Sequence, residues 1–102
     1  METREVLRET EVRKRLAQLP AWSKNGKAIK RSVIFENFQQ GIDFVCIVAE
    51  LSDGSNHHPD IEIRENLITL YCTTHRAKGI TDFDFDLAHK IEDLITETVF
   101  EE

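Results

Sequence analysis

The spacing of apolar residues predicts three amphipathic helices along the chain. The first is expected over residues 10–19 and ends at Pro20, and the second is expected over residues 38–52. A third begins at Thr81, where Asp84 three positions later forms an acidic variant of the capping box. Each segment repeats apolar side chains every three or four residues, so each is expected to bury one face.

Between the helices, apolar and polar residues alternate with a period of two, which predicts four short strands. The first strand begins at Trp22 and turns at Asn25-Gly26, a pair that favours a two-residue hairpin, and the second covers residues 28–36. A second hairpin joins residues 60–64 to residues 67–74. Short hairpins imply antiparallel pairing.

The element order is therefore α-β-β-α-β-β-α, which predicts an α+β fold. Three helices are expected to cover one face of a four-stranded antiparallel sheet and to leave the other face to solvent or a partner. With 102 residues, the chain is expected to form a single domain over 1–102, with residues 1–8 extending the first helix or fraying.

Composition narrows the classes of partner and compartment. The net charge of −6 argues against a nucleic-acid partner, because phosphate binding requires a basic surface. No apolar run approaches the roughly 20 residues needed to cross a bilayer, and the charged N-terminus is unlike a signal peptide. Cys46 and Cys72 form no CxxC pair and are interpreted as buried thiols. A reducing, cytoplasmic location is expected.

Three histidines form the candidate chemical centre. His57 and His58 precede Pro59, which favours an extended backbone, so their side chains are expected to point to opposite sides. His75 follows the next strand. A hairpin between these strands pairs residues whose numbers sum to about 131, and this register brings His75 near Asn56 and His57.

Such a cluster has three interpretations. An imidazole titrates near neutral pH and can transfer protons. The histidines could instead bind a metal, with Asp53 or Asp60 as further ligands, although no familiar ligand spacing is present. They could also be structural side chains at a strand end. Proton transfer is the favoured interpretation, and no metal site is expected.

The segment NHHPDIEIRENLITLYCTTHRAKGIT resembles the pterin-4a-carbinolamine dehydratase family, which includes the dimerisation cofactor of a hepatocyte transcription factor. The resemblance extends over about residues 10–100 and includes an upstream L-P-x-W and an F-x-x-F spacing. The positions that carry it, in chain order, are Asp53, His57-His58-Pro59, Asn66, Thr74-His75, Gly79, Thr81 and Asp84.

The resemblance implies a cofactor-free dehydratase that removes water from 4a-hydroxytetrahydropterin and gives quinonoid dihydropterin. It assigns His57 and His75 as acid and base on opposite sides of the pterin ring, and His58 as a residue that binds or orients substrate. Asp53 is expected to hold one imidazole in its productive tautomer. Further substrate contacts are expected from Asn56, Pro59, Thr74, Asp84 and Trp22.

Two of these contacts have a structural alternative. Asp84 is more simply interpreted as a helix cap, and Trp22 can equally belong to the core. The sequence also departs from the family pattern: Asp53 is shorter than the usual Glu, Ile61 replaces an aromatic residue, and Arg76 and Lys78 stand where acidic or small residues are more common.

A second hypothesis is a protein-binding role on the same fold. The resemblance implies that some members stabilise a transcription factor's dimers or assist assembly of a large enzyme such as rubisco. Retention of the histidines favours chemistry. A third hypothesis is a folate- or pterin-pathway enzyme with a related substrate. The resemblance also implies homodimers or homotetramers.

Overall fold

The predicted element order and fold class are confirmed. The computed structural model describes residues 5–98, and within this range three helices and four antiparallel strands follow one another as predicted. The strands form one sheet in the order β1-β2-β4-β3. The elements are α1 (Glu9–Leu16), β1 (Ser23–Asn25), β2 (Ala28–Ile34), α2 (Phe38–Ser55), β3 (Asp60–Arg64), β4 (Leu67–Cys72) and α3 (Asp82–Thr98).

The two hairpins fix the register of the sheet. In the second hairpin Asp60 pairs with Tyr71, so the predicted sum of 131 is confirmed. In the first hairpin Asn25 pairs with Ala28, so the loop is Gly26-Lys27 and the predicted turn at Asn25-Gly26 is wrong by one residue. Gly26 has φ +62°, a left-handed conformation that glycine adopts without steric cost.

Two helix boundaries differ from the prediction. α1 begins at Glu9 and ends at Leu16, because the backbone closes into tight turns from Ala17 to Leu19. α2 continues to Ser55, past the predicted end at residue 52. Its last turn is supported by the Ser55 hydroxyl, which donates to a carbonyl one turn earlier, and the helix ends where the next residue becomes left-handed.

The core lies between the helices and one face of the sheet. Alternate side chains of the two central strands, β2 and β4, point towards α2 and α3, and these side chains are almost fully buried. The main contributors are Ile29, Val33, Phe44, Val48, Ile68, Leu70, Cys72, Leu87, Ile91 and Ile95.

The two cysteines have different environments. Cys72 is buried, and loss of solvation raises the pKa of its thiol well above the ordinary value. Cys46 lies exposed on α2, so its predicted burial is wrong. The helical turn places Cys46 on the solvent side, between the buried positions Phe44 and Val48.

One ion pair crosses the core side of the sheet. Glu92 of α3 accepts hydrogen bonds from Arg31 Nε (2.9 Å) and Nη2 (3.0 Å) and from the indole of Trp22 (2.8 Å). These contacts, chiefly the Arg31 hydrogen bonds, lower the pKa of Glu92 below its ordinary value. The folded state therefore favours the ionised carboxylate. Its contribution to stability is present above the unfolded-state pKa of about 4.3 and is lost as the pH falls through the folded-state pKa.

The N-terminal segment is docked beside the start of α3. The amide of Leu7 donates to the carbonyl of Ile80 at 2.8 Å, and Leu7 packs against the core. Residues 5–8 are not helical, so the described part of the segment does not extend α1. Residues 1–4 of the segment predicted to extend or fray lie outside the described residues.

Apolar side chains remain on the surface of this single chain. The larger ones among the described residues are Val6, Ile34, Phe38, Ile47 and Ile63. β1 and β3 form the two edges of the sheet. Association into dimers or tetramers stays a prediction. No helix within residues 5–98 is long and apolar enough to span a membrane, and the cytoplasmic location also stays a prediction.

Candidate active site

The candidate site lies where α2, β3, β4 and α3 meet at one end of the sheet. Asn56 ends α2 in a left-handed conformation with φ 56°, which turns the chain out of the helix. The amide of His57 then donates to the carbonyl of Ser52 at 3.2 Å. Pro59 follows in the trans form, and β3 begins at Asp60. The histidine pair is thus held by a helix end on one side and a strand start on the other.

His57 is fixed by a buried carboxylate. Its Nε2 lies 2.6 Å from Oδ1 of Asp84, whose side chain is fully buried, while 15% of the His57 side chain is exposed. The His57 ring also packs against Phe83, with ring centroids 5.5 Å apart. Because a carboxylate only accepts hydrogen bonds, His57 Nε2 carries the proton of this bond. His57 Nδ1 is the ring nitrogen that does not take part in this bond.

Three further hydrogen bonds hold Asp84 and its helix start in place. Oδ2 of Asp84 accepts from the Thr74 hydroxyl at 2.7 Å and from the Thr81 amide at 2.9 Å. The amide of Phe83 donates to the Thr81 hydroxyl oxygen. Thr81 and Asp84 thus form the predicted capping box. Since the Thr74 proton is directed to Asp84, the 2.7 Å bond between the threonine hydroxyls runs from Thr81 to Thr74.

Asp84 is therefore both a helix cap and the partner of His57. The sequence presents the helix cap as an alternative to a role in the site. In the structure Oδ1 of Asp84 contacts His57, and Oδ2 caps the helix by accepting from the Thr81 amide.

His58 has a separate, exposed partner. Its Nε2 lies 2.9 Å from Oδ1 of Asp53 on the last turn of α2, and more than half of each side chain is exposed. The histidine that Asp53 contacts is thus His58, and the carboxylate behind His57 is Asp84. Exposed pairs of this kind contribute little to stability because water screens them.

His75 lies beside Asp60, at a distance of 3.5 Å between Nε2 and Oδ2. The predicted proximity of His75 to Asn56 and His57 stays a prediction. Thr74, adjacent in sequence, belongs to the Asp84 network that holds His57, whereas the ring of His75 itself lies against Asp60. A tight turn holds this segment, with the Thr74 amide donating to the carbonyl of Gly79 at 2.9 Å. The His75 side chain is 72% exposed.

A cleft of about 320 Å³ adjoins His75 on the sheet face opposite the helices. It is lined by Lys27, Ala28, Thr73, His75 and Lys78. Thr73 and Ala28 alternate with the buried positions Cys72 and Ile29, which places them on the open face.

The remaining predicted contacts differ in their placement. Trp22 lies in the core, 4% exposed, and its indole donates to Glu92, so its position favours the structural alternative. Asn56 and Pro59 flank the histidine pair and shape the loop. Substrate contact by these residues stays a prediction.

The likeness to known proteins agrees with this arrangement. The family described as pterin 4 alpha carbinolamine dehydratase matches residues 5–94, which include the three histidines and Asp84. The chain belongs to this dehydratase family.

Relatives from distant organisms match most of the length of this chain. A protein of Picosynechococcus sp. named "Putative pterin-4-alpha-carbinolamine dehydratase" is 46% identical over 86% of this chain and 96% of its own length. A protein of the same name from Sulfurisphaera tokodaii is 40% identical over 88% and 97%. A crystal structure from Brucella melitensis, described as a transcriptional coactivator/pterin dehydratase, has a TM-score of 0.83 and 28% identity, covering 88% of this chain and 98% of that one.

Sequence reasoning missed two members of this candidate site. Phe83 is not among the candidate site residues predicted from the sequence, but it packs on the His57 ring. Asp60 was considered only as a metal ligand, but it is the neighbour of His75. Its position two residues after the histidine pair, on the same strand face as an extended His58, was the available signal. Among residues 5–98, no group of three or more His, Cys, Asp or Glu side chains is placed to hold a metal ion.

Proposed function

We propose that this protein is a hydro-lyase that dehydrates 4a-hydroxytetrahydropterin to quinonoid dihydropterin, using histidines as acid and base. The observation that carries the proposal is the bond from His57 to the buried Asp84, a carboxylate with both oxygens occupied. A buried carboxylate behind a histidine fixes the tautomer and stabilises the imidazolium that forms when the histidine accepts a proton. Family membership supports the same reaction class.

The reaction needs one proton delivered and one removed. The bond from C4a to its hydroxyl breaks as an acid protonates the leaving oxygen, and water departs. The N5 proton passes to a base, and the N5 electrons form a double bond to C4a. One molecule of water is lost and no electrons leave the substrate, so the balance calls for no redox partner. Each positioned proton-transfer group is worth about 10²–10⁴-fold in rate.

His57 and His75 take these two roles in the proposed mechanism. His57 transfers its proton at Nδ1, because Nε2 is committed to Asp84. His75 is more exposed and has the Asp60 carboxylate 3.5 Å away, so it can exchange protons with water between turnovers. His58, paired with Asp53 at the surface, orients the substrate. After each turnover the acid has lost one proton and the base has gained one, and exchange with solvent restores both.

The test compares dehydration rates of synthetic 4a-hydroxytetrahydropterin, followed by ultraviolet absorbance. We expect His57→Ala and His75→Ala to reduce the catalysed rate at least tenfold each while folding normally. His89→Ala is the matched control, since His89 is an exposed histidine on α3 away from the site. Rates within twofold of wild type in both site variants would reject the assignment.

A protein-binding role is the second candidate. It is favoured by the apolar side chains that α2 exposes, Phe38 at 51% and Ile47 at 42%. The Brucella protein is described as both a coactivator and a pterin dehydratase. A folded wild-type protein that does not accelerate dehydration would leave this role as the better proposal.

A further inference from the structure

The cleft beside His75 is cationic, although the protein is acidic. Two of its five lining residues, Lys27 and Lys78, are lysines, and the Asp60 carboxylate, 3.5 Å from His75 Nε2, offsets only one of these charges. The chain as a whole has a net charge of −6. The cleft therefore carries a local excess of positive charge although the whole chain is negatively charged, and such a cleft favours an anionic ligand.

Two ordered turns carry the lysines. Lys27 lies in the Gly26-Lys27 loop of the first hairpin, and its carbonyl accepts a hydrogen bond from the Thr73 hydroxyl, which ties this loop to the end of β4. Lys78 adopts a left-handed conformation with φ +66°, and its amide donates to the carbonyl of Thr74 at 2.8 Å. The backbone on both sides of the cleft is thus fixed before a ligand arrives.

The size of the cleft and its histidine indicate the kind of ligand. A volume of about 320 Å³ is near the lower end of small-molecule sites, about 300–1,000 Å³, and suits part of a small substrate. His75, one of the two proposed proton-transfer groups, lines the same cleft. A substrate that reaches His75 therefore places a neighbouring substituent beside the lysines.

We infer that the substrate is a pterin with an anionic substituent, a phosphate or a carboxylate, and that Lys27 and Lys78 bind this group. Lysine ammonium groups bind both anions as point charges, so the cleft itself favours neither. This inference rests on the proposed function, because His75 links the cleft to the reacting ring. The two lysines would favour pterins with an anionic substituent over pterins with a neutral one.

Binding of stable oxidised pterins tests the inference without requiring turnover. The probes are neutral 6-hydroxymethylpterin, its phosphate ester and pterin-6-carboxylate, each titrated by pterin fluorescence at low ionic strength. We expect at least one anionic probe to bind about tenfold more tightly than the neutral one, equivalent to about 1.4 kcal/mol. The phosphate and carboxylate arms identify which anion is preferred.

The variants Lys27→Gln and Lys78→Gln, singly and together, are expected to reduce the preference, and the double variant to abolish it. Lys14→Gln on α1 is the matched control and is expected to keep the preference of wild type. Added salt should weaken the preference in wild type, since screening shortens the reach of exposed charges. Both lysines are exposed, so the variants should fold normally.

Two outcomes would overturn the inference in distinguishable ways. Equal binding of neutral and anionic probes, or an anionic preference that survives in the double variant, rejects the cationic cleft and leaves the dehydratase proposal standing. Failure of all three pterins to bind the folded wild-type protein rejects the proposed function, and the inference fails with it.

Discussion

Replacing Asp84 by Asn changes the protonation of His57 while almost preserving shape. The Thr81 amide is an obligate donor, so the Asn oxygen must take the position of Oδ2, where it also accepts from Thr74. The Asn NH₂ group then faces His57 Nε2, at the place of the 2.6 Å bond. His57 can accept this donor only if Nε2 is unprotonated, which moves the ring proton to Nδ1.

The expected loss is large for catalysis and small for stability. With its proton on Nδ1, the neutral His57 is no longer a base at that atom. In the imidazolium form, the N–H at Nε2 would face the Asn NH₂ group, so that two hydrogen-bond donors would oppose each other. The corresponding Asp-to-Asn change behind the histidine of serine proteases costs about 10⁴-fold. We expect a fall in kcat of about 10²–10⁴-fold. The free energy of unfolding should decrease by only about 1–2 kcal/mol, since the amide oxygen keeps two of the hydrogen bonds.

Kinetics and NMR together distinguish this effect from a general loss of structure. The assay is single-turnover dehydration by wild type, Asp84→Asn and the matched control Asp53→Asn, whose carboxylate contacts the exposed His58. Imidazole ¹⁵N shifts of His57 report which ring nitrogen carries the proton. We expect the tautomer to change in Asp84→Asn alone. A kcat within threefold of wild type, or an unchanged His57 tautomer, would refute the reasoning.

Three other predictions concern the scaffold. Glu92→Gln should lower the free energy of unfolding at pH 7 by about 1–3 kcal/mol. That loss should shrink as the pH falls below about 4.3, and a pH-independent loss would contradict the ion-pair account. Glu97→Gln on the same helix is the control, and urea titrations should show an unchanged free energy of unfolding. Gly79→Ala would bring a methyl group within 2.8 Å of Val6 Cγ1 and so push the N-terminal segment away. We therefore expect faster hydrogen exchange at the Leu7 amide, which donates to the carbonyl of Ile80, and unchanged exchange would count against this contact. Thiol reagents should modify Cys46 and spare Cys72 in the native protein, because burial raises the Cys72 pKa; mass spectrometry showing early Cys72 modification would disprove this.

The sequence predicted the elements because their signals are local. The second hairpin, with its two-residue turn and its sum of 131, follows from alternation and turn chemistry. The first loop was predicted one residue too early, since Asn25-Gly26 and Gly26-Lys27 both contain the glycine that the turn needs. Helix ends were less predictable, because the last turn of α2 depends on serine hydroxyls that bond backwards along the helix.

The pairing of carboxylates with histidines could not be predicted in the same way. Asp84 stands in an acidic run at a helix start, and such a run is adequately explained by the helix dipole. Only the packing of α3 against the end of β4 brings its carboxylate to both Thr74 and His57. Asp53, nearer in sequence, reaches His58 instead. Contacts across 27 residues depend on tertiary structure, and alternation along one strand does not encode them.

The measurement that tests the central claim most directly is single-turnover dehydration of 4a-hydroxytetrahydropterin at neutral pH with and without the wild-type protein. Two proton-transfer groups, each worth at least about 10²-fold, predict an acceleration well above a hundredfold over buffer. Dehydration at the buffer rate in the presence of the folded protein would contradict the account.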